Sequence, residues 1–212
     1  MDSMEKRFWA IIGVIIVVFA GILWFSGQKE EKKDAENKVA ATSHVKGKVD
    51  SSVKFVEYGD FQCPYCAQYY PIVEQVVAKY QDKISFQFRN YPLSQQHQNA
   101  VSAARAAEAA DMQGKYWEMY AVLFQNQQSW SASNTVRTVF EGYAKQLGLN
   151  AAEFKKDFAS EAVNDRINAD KAAFNKLGLR KSTPTFILNG KQISAVSVDE
   201  FSKLIDEALK KK

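Results

Sequence analysis

A strand that stops at a glycine and resumes as a helix, with both cysteines of the chain on that helix's first turn, constrains this sequence more than any other feature. Val53-Lys54-Phe55-Val56-Glu57-Tyr58 sets β-branched and aromatic residues around Lys54 and Glu57, which predicts a strand. Gly59-Asp60-Phe61-Gln62 breaks it. Pro64 then falls where a first helical turn tolerates a missing N–H. Beyond it Ile72, Val73, Val76, Val77 and Tyr80 recur at helical spacing. Cys63 and Cys66, the only 2 cysteines among 212 residues, therefore sit at the mouth of a helix and one turn inside it.

Unpaired N–H groups and the positive dipole end at a helix start favour a thiolate, so Cys63 is the expected reactive thiol. Cys66, deeper, is expected to resolve rather than attack. Two intervening residues let one thiolate attack a foreign disulfide while its neighbour resolves the mixed intermediate. A purely structural disulfide would gain little, because it closes almost the shortest loop possible. Tetrahedral zinc asks for four ligands, and only His44 and His97 remain as further soft partners. A non-enzymatic copper(I)-binding pair is the other alternative, and it needs no proline between its thiols.

Three stretches carry a family resemblance: Tyr58-Gly59-Asp60-Phe61-Gln62-Cys63-Pro64-Tyr65-Cys66, Asn90-Tyr91-Pro92-Leu93 and Ala103-Ala104-Arg105-Ala106-Ala107-Glu108-Ala109-Ala110. With the later Thr183-Pro184-Thr185-Phe186, they make residues 51–212 similar to the DsbA-like thiol:disulfide oxidoreductases of the thioredoxin superfamily. The resemblance implies a protein-disulfide oxidoreductase with no cofactor, Cys63 as nucleophile, Cys66 as resolving thiol and Pro184 as a cis-proline facing them. It also implies that Glu57, six residues before Cys63, is a buried acid and that Pro71 lies within the first helix. Thr183, Pro64 and Tyr65 are the residues it places against substrate. Its implied partners are reduced or misoxidised secreted proteins and a membrane reoxidase of the DsbB type.

Strand alternation places Glu57 on the face of Val53 and Phe55, pointing inward. A carboxylate there would have a raised pKa and could relay the proton of Cys66; the alternative is an exposed acid at a strand end. Pro184 opens the apolar run Phe186-Ile187-Leu188, where proline is allowed at a strand start.

The N-terminus carries a second message. Phe8 to Phe25 holds 18 residues without a charge, about 27 Å as a helix. Trp9 and Trp24 bracket it as interfacial anchors, and the bulky Leu23-Trp24-Phe25 argues against a cleaved signal peptide. The reading is a single-pass anchor at 8–25 after a short cytoplasmic segment, 1–7. Lys29, Lys32, Lys33 and Lys38 follow the span, so charge alone mildly opposes an outward catalytic domain. The chemistry argues the other way, because disulfides persist outside the cytoplasm. The expected location is the cell membrane, with the catalytic domain extracytoplasmic.

Residues 26–52 read as a flexible polar tether and 53–212 as the catalytic domain. The net charge of +4 is scattered among 24 acids, with no aromatic-interleaved basic stripe, so nucleic acid is not an expected partner. Ile84 to Phe88 predicts a second strand. Ala100–Met112, Tyr116–Phe124, a stripe over 136–147 and helical stripes after Asn150 follow, so 94–178 reads as a helical insertion. Phe186–Leu188, Asn189-Gly190 and Lys191–Ile193 form a hairpin, and Ser197 with Glu200 caps a last helix. The fold class is α/β: a thioredoxin fold with an inserted all-helical subdomain, preceded by a single transmembrane helix.

His97 precedes a helix start, where capping or surface packing suffices. Trp130, in the polar loop 125–134, is either a substrate contact or a lid on the helical core. No GxGxxG, Walker loop or paired-carboxylate signature implies a nucleotide or metal. The leading function is an oxidase that introduces disulfides into extracytoplasmic proteins through Cys63-Pro64-Tyr65-Cys66. A reductase or isomerase on the same scaffold is the alternative, since Pro-Tyr serves both directions and Thr183 also occurs in relatives of that kind.

Overall fold

A computed structural model of the protein describes residues 44–211. The segment 1–7, the anchor 8–25 and the first part of the tether lie outside the described residues. Among the described residues, no helix is long and apolar enough to cross a membrane.

The sheet has five strands: β1 (Val45–Gly47), β2 (Lys54–Gly59), β3 (Ser85–Asn90), β4 (Thr185–Leu188) and β5 (Lys191–Ile193). Their order is β1-β3-β2-β4-β5, with β2 and β3 parallel and the other pairs antiparallel. Helix α1 (Pro64–Tyr80) makes the crossover between β2 and β3. The hairpin turn is as expected, with Asn189 and Gly190 both at positive φ, 49° and 80°.

Strand alternation divides the core. Val53, Phe55 and Glu57 face Val73, Val76 and Val77 of α1 and Phe201 and Ile205 of α8 (Val198–Lys210). Tyr58 and Ile187 face the opposite way, onto Phe174 of α7 (Glu161–Asn175). Between β3 and β4 the chain forms α2 (Ala100–Asp111), α3 (Tyr116–Gln125), α4 (Gln127–Trp130), α5 (Val136–Gln146), α6 (Ala151–Phe158) and α7. Helix α2 packs against α3, α5, α6 and α7. Its buried alanines, Ala103, Ala106, Ala107 and Ala110 among them, allow that close approach.

Local signals set the helix ends. Asn150 caps α6 by accepting from the N–H of Ala152 and Glu153, and Ser160 caps α7 through Val163. Ser197 accepts from Glu200 N–H, but the Glu200 carboxylate reaches Val196 N–H, one residue before the cap. Two sequence readings are corrected. Residues 45–47, placed in the tether, are strand β1, because Val45 to Gly47 pair with Gln87 to Ser85 along the edge of β3. Trp130 ends helix α4 rather than lying in a loop, and of its two readings the lid on the helical core holds: its indole N–H donates to Leu123 O at 2.8 Å, and its ring packs edge-on against Phe140.

Candidate active site

The site begins at the end of β2. Gly59 ends the strand where no larger residue fits, since a Cβ would collide with the Phe88 ring and crowd the Glu57 carboxyl. Cys63 then takes the N-cap position of α1 in an extended conformation, with Pro64 opening the helix and no acidic residue in its first turn. Both cysteines are free thiols, Cys63 at 4% exposure and Cys66 at 0%.

Two loops converge on the thiols. The Thr183–Pro184 peptide is cis, and the Thr183 carbonyl lies 3.4 Å from Cys63 Sγ. From the other side Asp60 N–H donates to Cys66 Sγ at 3.5 Å. The Cys63 thiol is lowered from about 9 to about 6. The hydrogen bond from Cys66 is the largest influence; burial opposes it, and Thr183 and the Cys66 and Tyr65 amides add to it. The sequence argument rested on the helix end, whereas the neighbouring thiol does more here. Cys66 is pushed well above its ordinary range by burial, then by Cys63 and Glu57.

Glu57 is 1% exposed, and its Oε2 has no hydrogen-bond partner among the described residues. Burial first, then the charges of Cys63 and Glu74, raise it from about 4.5 to about 8. A carboxyl of that value is protonated at neutral pH and can hand a proton to a thiolate nearby.

Side chains that sequence reasoning passed over hold the loop between β2 and α1. Gln127 Nε2 donates to the carbonyls of Phe61 at 2.7 Å and Cys63 at 2.9 Å. Gln62 accepts from Asn99 N–H and donates to Ser131 O, and Asn99 donates to the carbonyls of Trp130, Ser131 and Ser133. Glutamines scattered in a polar stretch carry no periodicity, so nothing in the sequence singled these out. His97 is not the cap of α2, a place taken by Asn99; its Nδ1 lies 2.6 Å from the buried Asp60 carboxylate. Tyr65 is 64% exposed. With Tyr69, Thr183, Pro184, Gln192 and Ala195 it lines a groove of about 240 Å³ beside Cys63.

A second polar cluster lies away from the thiols. His44 meets Glu108 through Nε2 at 3.0 Å and Asp111 through Nδ1 at 3.1 Å, with its ring stacked on Tyr116. The three donor groups lie within 4.8 Å of one another, a spacing that could admit a metal ion. Arg166 also pairs with both carboxylates, at 2.6 Å to Asp111 and 3.5 Å to Glu108. Two cations thus already balance the two acids. Burial disfavours the charged ring, but hydrogen bonds to Asp111 and Glu108 and their charges raise His44 to about 9.

A family model described as Thioredoxin matches residues 39–207. A curated relative named Na(+)/H(+) antiporter NhaA 1, from Mycolicibacterium gilvum, is 36% identical over 151 residues, 70% of this chain but 24% of the relative. Another antiporter NhaA, from Herminiimonas arsenicoxydans, is 30% identical over 197 residues, 87% of this chain and 30% of the relative. The chain spans less than a third of the length of these relatives, and the transport in their names belongs to those proteins. Among solved structures, a thioredoxin-like oxidoreductase from Silicibacter pomeroyi is 27% identical with a TM-score of 0.65, covering 78% of this chain and 91% of that one. BdbD from Bacillus subtilis, at 24% identity and TM-score 0.69, covers 81% and 98%. Alpha-DsbA1 from Wolbachia pipientis, at 22% and 0.69, covers 82% and 94%. The last two share the fold.

Proposed function

The chain belongs to the thioredoxin family, and from that premise we propose that it is a protein thiol–disulfide oxidoreductase acting as an oxidase, donating a Cys63–Cys66 disulfide to reduced or misoxidised proteins outside the cytoplasm. The direction rests on one observation: Cys63 stands at the N-cap of α1 with no acidic residue in the first turn, a setting that with the Cys66 thiol beside it favours the Cys63 thiolate. A protein that stabilises its reduced form releases its disulfide readily.

In the forward reaction a substrate thiolate attacks Cys63 Sγ, and the Cys63–Cys66 bond breaks. Cys66 leaves as a thiolate and takes its proton from the Glu57 carboxyl. A second substrate thiolate then attacks the substrate sulfur of the mixed disulfide and expels Cys63 as a thiolate. Two electrons pass from substrate to enzyme, and the substrate gains one disulfide. The groove of Tyr65, Thr183 and Pro184 beside Cys63 is suited to hold the substrate chain. Residues 8–25 would anchor the domain at the membrane, near a reoxidase of the DsbB type that restores the disulfide, and so raise their effective concentration.

Equilibration of the full-length chain with glutathione tests this reading. The expected potential lies closer to about −120 mV than to about −270 mV. A value near the lower figure, with cysteines trapped mostly reduced in cells, replaces the oxidase with the reductase or isomerase reading.

A further inference from the structure

Asp60 is the only residue whose main chain, in the hydrogen bonds described, touches both cysteines: its N–H donates to Cys66 Sγ at 3.5 Å, and its carbonyl accepts from Cys63 N–H at 3.0 Å. We propose that Asp60 and His97 form a positioning pair that fixes this peptide and thereby sets the acidity of the Cys63 thiol. The inference rests on the assignment of Cys63 as nucleophile.

The Asp60 carboxylate is itself buried, at 1% exposure. A buried carboxylate is costly unless its lone pairs are satisfied. Oδ1 accepts from Gln62 N–H at 2.8 Å, and Oδ2 accepts from Leu93 N–H at 2.9 Å and from His97 Nδ1 at 2.6 Å. An ionised carboxylate only accepts, so the imidazole proton is on Nδ1. The three donors come from the active-site loop, the segment after β3 and the turn before α2. They tie the side chain to three separate segments, and the peptide with it. An asparagine would turn an NH2 toward one of these N–H groups, which explains an acid at a position where a simple turn would need none.

The consequence reaches the reacting sulfur through a chain of two hydrogen bonds. Asp60 N–H donates to Cys66, and Cys66 S–H donates to the Cys63 thiolate. Hydrogen bonds in series polarise one another, so the first strengthens the second. When substrate attacks Cys63, the same N–H faces the departing Cys66 thiolate. His97 is partly solvent-accessible, with its side chain 18% exposed, so it can be changed with less damage to the core than Asp60.

The test titrates Cys63 thiolate absorbance in the full-length chain and follows reduction of the oxidised form by dithiothreitol. His97→Ala is expected to raise the titration midpoint by about one pH unit and slow the reduction about tenfold. His97→Asn, whose side-chain NH2 can stand in for Nδ1–H, should restore most of both. A lower melting temperature in His97→Ala with an unmoved titration overturns the proposal, as does failure of His97→Asn to recover. Ordinary alkaline titration of Cys63 in the unaltered protein would instead overturn the nucleophile assignment itself.

Discussion

The sulfur of Cys63 and the carbonyl of Thr183 stand 3.4 Å apart, although 120 positions separate them in the chain. The helical subdomain is folded within that interval, so the thiol and the proline loop meet only because β4 returns antiparallel beside β2. The surroundings of Cys63 are therefore set by the assembled sheet as well as by the CPYC segment.

The reduced protein should be more stable than the oxidised one, by an amount that depends on pH. Cys63 titrates at about 6 when folded against about 9 ordinarily, so its stabilisation is complete above the unfolded value and is lost as pH falls through about 6. Melts of both redox forms from about pH 5 to about pH 9 should diverge as pH rises. Parallel curves across that range would show that no thiolate is being stabilised.

Replacing Glu57 with Gln separates stability from turnover. Its folded pKa of about 8 lies above the ordinary 4.5, so ionising it costs the fold stability as pH rises between those values. Glu57→Gln should raise Tm, more at about pH 8 than at about pH 4, while slowing release of the Cys66 thiolate at least about tenfold. A variant that turns over normally would leave Glu57 as a buried acid without a part in the reaction.

His44 predicts an alkaline weakness. Its folded pKa of about 9 exceeds the ordinary 6.5, so its contribution is fully present below about 6.5 and is lost as pH rises through about 9. His44→Ala should cost about 2–3 kcal/mol at neutral pH. The difference from wild type, read by urea unfolding, should shrink toward about pH 10. A constant difference would mean the ring contributes by stacking on Tyr116 alone.

Gly59→Ala places a methyl against the Phe88 ring. A loss of about 1–3 kcal/mol is expected from overpacking. The crowding of Glu57 should also appear as slower turnover. Unchanged stability would mean that Phe88 can move aside freely.

The sequence was most legible where one residue type serves one local purpose. Asn189-Gly190 made its turn, and the spacing after Pro64 made its helix. The three stretches behind the family resemblance prove to be wired together: Asp60 accepts from Leu93 N–H, and Asn90 Nδ2 donates to Glu108 at 2.7 Å. Arg105 of the third stretch donates to the carbonyls of Phe158 and Ser160, joining α6 to α7. The clamps Gln62, Asn99 and Gln127 were not legible, because an amide's role depends on which carbonyls the fold brings to it. Strand β1 was missed for a related reason. Val45-Lys46-Gly47 has almost no apolar pattern, and its pairing comes from the open edge of β3.

That short strand governs how the protein can be trimmed. A fragment begun at Val53, where hydropathy would draw the boundary, lacks β1 and leaves the outer backbone groups of Ser85, Phe86 and Gln87 without their strand partner. It also removes His44 from between Glu108 and Asp111, leaving Arg166 to neutralise both. An uncovered strand edge is a template for another copy of the same chain, so such a fragment would precipitate or pair edge to edge in the test tube. A useful soluble piece of this protein starts no later than His44.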